Sequence, residues 1–200
     1  QRHMCIRDSG VTGSATTTVN VTRAQFNTTA GNIGNDVTVN AYTKQSASFT
    51  VATQGNQSVA ANGTVIGITT TGLTNGANDF LVINTEIIAL TGATIGTGQV
   101  TLANSAARGA EGSTAAVIPS GTAANLYVKS AAQSTAELVG DEETDIDLDG
   151  GTTSVFNSDT ILGIVKTGGG TELMKVTSFT PYGVNSGGVR TSSSSKDWFN

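Results

Sequence analysis

The chain has little of what most enzyme sites are made from. Among its 200 residues stand one histidine, His3, and one cysteine, Cys5, both in the opening stretch "QRHMCIRDSG". Aromatic residues make up 5% and charged residues 12%, with ten Lys/Arg against fifteen Asp/Glu and a formal charge of -5. No Lys/Arg cluster occurs, so the basic footprint that nucleic-acid phosphates require is missing. The longest apolar stretches, "FLVI" and "EIIAL", are strand-sized and far below the ~20 residues of a membrane-spanning helix. So little charge also excludes a long ion-paired surface helix and a charge-driven disordered tail. What remains is rich in Gly, Thr, Ser, Asn and Ala with Val and Ile interspersed, the mixture of short strands joined by tight turns. The expectation is an all-β protein of extracellular or virion type, with no nucleic-acid partner and no membrane insertion.

The segment "MCIRDS" (residues 4–9) back-translates as ATG TGT ATA AGA GAC AG, which resembles the transposon mosaic-end adapter of sequencing libraries. Residues 1–9 are therefore read as an adapter translation artefact and set apart from fold reasoning. Without them the chain holds neither Cys nor His. Cys/His zinc sites and Ser-His-Asp or Cys-His nucleophiles then lack members. Absent cysteine leaves the redox compartment open. Entry through an adapter also predicts a reading frame joined partway through a gene.

Internal repetition is the strongest positive signal. "TVNVTRAQFNTTAGNIGNDVTVNAYTKQSA" echoes "QVTLANSAARGAEGSTAAVIPSGTAANLYVKSAA". Arg23, Thr29, Ala30, Tyr42 and Lys44 recur as Arg108, Thr114, Ala115, Tyr127 and Lys129, each 85 positions later. Thr85 and Glu86 of "NTEIIALTG" recur 86 positions later as Thr171 and Glu172 of "GTELMKVTS", and Val189-Arg190 reopens the Arg-containing segment. Residues 10–44 are thus expected to be the C-terminal half of a unit, 45–129 a complete unit, and 130–200 a truncated one. The parent is expected to be a longer tandem array.

Within the complete unit, "TVIGITT" (64–70) alternates as a half-buried strand does, while "DFLVI" and "EIIAL" are apolar on both faces. Only Asn84 and Thr85 separate these two, which predicts a two-residue hairpin loop. The same hairpin reads "DTILGIVKTGGGTELMKV" in the next unit. Asp79 to Glu86 spans 7 positions and Asp159 to Glu172 spans 13, so six additions are expected at the loop tip around Gly168–Gly170. There they cost little closure entropy and flip no strand face. Asn62-Gly63, Asn75-Gly76 and Asp149-Gly150 mark turns. Each unit is read as a small antiparallel β-barrel or β-sandwich, burying about 60% of its unfolded surface.

Three constellations could carry chemistry. In "DEETDIDLDGG", Asp145, Asp147, Asp149 and Gly150 match the first half of an EF-hand loop and make a candidate Ca²⁺ site. The twelfth loop position, which needs a bidentate Glu, is Phe156, and Ile146 and Leu148 interleave the acids at strand period. The favoured reading is a charged strand edge that discourages aggregation. "RGAEGSTAA" (108–116) puts an Arg beside glycines but lacks a Walker Gly-Lys-Ser/Thr, and its recurrence points to pinning a hairpin through backbone carbonyls. Glu86, Glu111, Glu142, Glu143 and Glu172 are available for paired-carboxylate glycoside cleavage. A site copied in every unit is unusual for an enzyme, so no catalytic residues and no cofactor are expected.

The stretches "TRAQFNTTA", "TEIIALTG", "ARGAEGSTAA" and "TELMKVTS" together resemble a repeat of virion structural proteins of tailed bacteriophages, notably marine cyanophages. The resemblance spans residues 15–190. It departs where a histidine often follows the Thr-Ala-Ala element: here Val117, Ile118 and Pro119 follow. It implies a non-enzymatic tail, tail-fibre or baseplate-associated protein located in the virion. Its implied partners are other virion proteins and further copies of the chain, with a host cell-surface glycan as a further candidate. Two alternatives stay open: a secreted bacterial adhesin or surface-array repeat, and a glycan-binding tail spike. The latter needs aromatic platforms, for which Tyr42, Tyr127, Tyr182 and Trp198 are the candidates.

Overall fold

The structure, a computed structural model, describes residues 16–52, 58–76, 78–135, 138–149, 156–181, 183–184 and 190–191. His3, Cys5, Gly150, Tyr182, Trp198 and the adapter-like segment lie outside the described residues. The protein is all-β. Its strands are β1 (Thr16–Thr22), β2 (Thr38–Thr50), β3 (Val65–Gly67), β4 (Phe80–Ile83), β5 (Glu86–Ala89), β6 (Thr94–Gly96) and β7 (Gln99–Thr101). They continue with β8 (Ala123–Thr135), β9 (Asp145–Asp149), β10 (Thr160–Val165), β11 (Thr171–Pro181), β12 (Gly183–Val184) and β13 (Arg190–Thr191). Among the described residues no helix is long and apolar enough to cross a membrane.

The strands pair antiparallel in the order β2-β10-β11-β1-β9-β8, and β8 pairs back onto β2, so six strands close into a ring. Val19, Ile33, Ile146, Leu162, Ile164 and Met174 are among the residues that fill it. β4 and β5 extend from β8, facing a second sheet of order β3-β7-β6. Between them lies another core that includes Phe49, Ile66, Ile68, Leu81, Ile88 and Leu126. Single bridges, Val51–Ile68 and Val59–Ile118, tie this central lobe together. The ring draws on both flanks of the central lobe, taking β1 and β2 from before it and β8 to β11 from after it.

A third cluster joins ring and lobe. Tyr42, Phe80, Val82, Ile87, Ile161 and Leu173 bury themselves there with Tyr127. Phe80 stacks on Tyr127 at 5.2 Å and meets Tyr42 edge-on at 4.8 Å between ring centroids. This cluster explains why the hairpin strands are apolar on both faces. In β4, Leu81 and Ile83 enter the lobe's core while Phe80 and Val82 enter the shared cluster. In β10, Leu162 and Ile164 enter the ring and Ile161 the shared cluster.

The long strands β2 and β8 begin 85 positions apart, and they pair with one another. Tyr42 lies opposite Lys129, Thr43 opposite Val128, and Lys44 opposite Tyr127. Exchanging each of these residues for the one 85 positions away returns the same three pairs, so a local twofold passes through Thr43 and Val128. The β2–β8 pairing is therefore pseudo-isologous, the form a symmetric dimer interface takes.

Two expectations need correction. The hairpin loop gains five residues, not six: Ile83 pairs with Glu86 and Ile164 with Glu172, leaving two and seven residues between them. The sixth lies ahead of the strand, where Thr160 rather than Asp159 takes the place of Asp79. Gly76 N donates to the Asp79 carboxylate at 2.8 Å, and Asn157 N donates to the Thr160 hydroxyl at 2.9 Å. The added tip runs through Gly168, Gly169 and Gly170 at φ of 104°, 96° and 77°, a left-handed path that side-chain-bearing residues resist. The acidic strand is also no sheet edge. β9 pairs with β1 along its length and with β8 at Asp149 and Leu148.

Candidate functional site

Among the described residues the most elaborate polar structures are two buried Arg–Glu clamps. Glu86 opens β5 directly after the hairpin turn, which aims its carboxylate into the arch formed by residues 108–116. Arg108 Nε donates to Oε1 at 2.5 Å and Nη2 to Oε2 at 2.9 Å. Gly109 N and Ala116 N complete the carboxylate at 3.2 and 3.1 Å. The remaining guanidinium donors reach the carbonyls of Ala60 (2.8 Å), Gly63 (3.1 Å) and Ala116 (2.6 Å). All five Arg donors are thereby used.

The second clamp repeats the first contact by contact. Arg23 Nε and Nη2 donate to Glu172 at 2.9 and 2.6 Å, and Ala24 N and Gly31 N donate to the same carboxylate at 3.1 and 3.2 Å. The carbonyls are those of Gly140, Glu143 and Gly31. The backbone of the two arches agrees as well. Ala24, Phe26 and Asn27 are left-handed at φ of 55°, 54° and 61°, and Gly109, Glu111 and Gly112 at 60°, 54° and 80°. Thr28 and Ser113 hydroxyls then accept from Leu173 N (3.1 Å) and Ile87 N (2.9 Å), locking arch to hairpin. The connectivity differs. Arg108 follows its Glu by 22 residues, whereas Arg23 precedes its own by 149.

Chemically these clamps are closed. Each buried carboxylate faces an Arg and two amides rather than a second carboxylate, the arrangement glycoside hydrolysis uses. Of the other acids, Glu111 and Glu142 are exposed, while Glu143 accepts from Gly140 N at 2.7 Å within its own turn. Asp145, Asp147 and Asp149 point off one face of β9, with Ile146 and Leu148 fully buried on the other. An extended strand holds such alternate side chains about 7 Å apart, whereas an EF-hand loop curls them onto one ion. Asp147 accepts from the Thr18 hydroxyl of the neighbouring strand at 2.5 Å. Among the described residues no cluster of three or more His, Cys, Asp or Glu is placed to hold a metal.

A cleft of about 130 Å³ opens where ring and lobe meet, lined by Asn40, Tyr42, Asp79, Glu111 and Thr171 among others. Burial first, and then the charges of Glu111 and Asp79, push the Tyr42 phenol up to about 12. A group whose folded pKa lies above its unfolded value of 10 contributes stability that is complete below pH 10 and lost as pH rises toward 12. Titration of the 295 nm phenolate band should accordingly show one tyrosine ionising near pH 12, with unfolding favoured progressively across pH 10 to 12.

Sequence reading missed the Arg–Glu pairing, although its signal was present. In a chain with only 12% charged residues, an Arg and a Glu recur at offsets of 85 and 86. Coincident recurrence of opposite charges in a charge-poor chain points to a buried pair. Asp79 was also missed as a structural acid. It is buried, caps the hairpin through Gly76 N and accepts from Lys129 N at 3.2 Å.

Compared with protein-family models, curated proteins and solved structures, the chain matches none of them.

Proposed function

We propose that this chain is a non-enzymatic structural protein of a tailed-phage virion, from its tail, tail fibre or baseplate, built of repeated antiparallel β units of about 85 residues. The observation that carries the reading is the doubled clamp. The four stretches that resemble the phage repeat supply Arg23, Glu86, Arg108 and Glu172, the four clamp residues. The likeness therefore resides in what closes a β unit. In this reading residues 45–129 form one unit, and the segments 10–44 and 130–200 together supply another. A non-enzymatic role is supported by clamps whose donors and acceptors are consumed internally. Tyr42 and Tyr127 are 7% and 8% exposed, which leaves neither as an open platform for a sugar. The partners are other virion proteins and further copies of the chain.

Mass spectrometry of density-purified phage particles carrying the gene tests this. The tryptic peptide spanning residues 109–129 should be enriched with the major tail proteins. Its recovery in the host cell-envelope fraction instead would reject the virion reading in favour of a surface adhesin.

A further inference from the structure

We infer that the arm formed by residues 16–33 exchanges between copies of this chain, each copy's arm closing the other's ring. Nearly everything the arm touches lies far along the sequence. β1 is held between β9 and β11, Ile33 bridges Val139, and Lys166 Nζ donates to Thr29 Oγ1 at 2.7 Å. Its ties to the central lobe include an Asn27–Thr85 hydrogen bond and Phe26, which packs on the shared cluster against Tyr127. The two clamps show that the seat does not depend on how its halves are connected. The same contacts form with the Arg 22 residues after the Glu and with the Arg 149 residues before it. A second copy's arm offers identical contacts, the condition under which exchange costs little.

The joint is suited to opening. Between the Ile33 bridge and β2 the chain turns through Gly34, Asn35 and Asp36, with Asp36 left-handed at φ 58°. A short turn holding a non-glycine residue at positive φ stores backbone strain, which favours exchange because extending the turn releases it. This inference stands independently of the virion reading.

The Ile33–Val139 bridge supplies the test, since Ile33 N donates to Val139 O at 2.9 Å. In a Cys5→Ser background, one chain carries Ile33→Cys and another Val139→Cys, and the two are refolded together and oxidised. Exchange gives a disulfide-linked band at twice the 20.2 kDa of the chain. The corresponding pair Val59→Cys and Ile118→Cys, within the central lobe, gives none. Adding Asp36→Gly should lower the yield roughly fivefold by relieving the turn. Native mass spectrometry of two differently tagged wild-type chains, refolded together at high concentration, should show the mixed dimer. Only monomers there, or no 33–139 cross-link between chains, overturns the proposal.

Discussion

Glu86→Ala is expected to destabilise the protein by about 3–5 kcal/mol, the cost of leaving a buried guanidinium without its counter-charge. Arg108 and Glu86 have side chains 1% and 3% exposed, so water cannot replace the carboxylate. Two arch amides, Gly109 N and Ala116 N, lose their acceptor in the same step. A denaturant titration should show the lower midpoint. The double variant Glu86→Leu/Arg108→Met should lose less than the sum of the two single variants, because no lone charge then stays buried. It should still fall below wild type, since the Ala60, Gly63 and Ala116 carbonyls lose donors. Additive single effects would mean that the pair does not act as a unit. Glu172→Ala should behave alike in the ring, where the carboxylate is fully buried.

Phe80→Ala should cost about 3–5 kcal/mol and, in addition, divide the unfolding transition. The ring of Phe80 is the centre of the shared cluster, stacked on Tyr127 and edge-on to Tyr42. Its removal weakens the contact through which ring and central lobe unfold together. Calorimetry should then give a van't Hoff enthalpy below the calorimetric one, the mark of lost two-state behaviour. Phe49→Ala makes the comparison, because Phe49 lies in the lobe's own core. It should cost a similar amount while broadening the transition less. Equal broadening in both would mean that the shared cluster does not couple the two halves.

Much of the local structure was legible in the residues. The "DFLVI" and "EIIAL" hairpin closes on Asn84 and Thr85 as expected, with Asn84 left-handed at φ 56°. The Ile146/Leu148 alternation was readable because one face of β9 is buried. The spacing pointed to equivalent positions: the clamp arginines and their arches lie 85 positions apart and the clamp glutamates 86. The candidate Ca²⁺ acids were misplaced on an edge, since alternation reports which face is buried and not how many neighbours a strand has. The six-residue loop estimate failed because it anchored on Asp159, whereas the turn places Thr160 in the equivalent position.

By itself, the order of residues determined the all-β class, the hairpin and the faces of the strands. These follow from local rules, namely side-chain period, turn chemistry and the poverty of charge. Tertiary structure decided what pairs with what: that Arg23 meets Glu172 across 149 positions, that β1 and β2 share a ring with β9 to β11, and that β2 and β8 meet about a twofold. Strand pairing is non-local, so an apolar pattern says that a strand needs partners without saying which. That choice rests on the burial and hydrogen bonds of the closed ring.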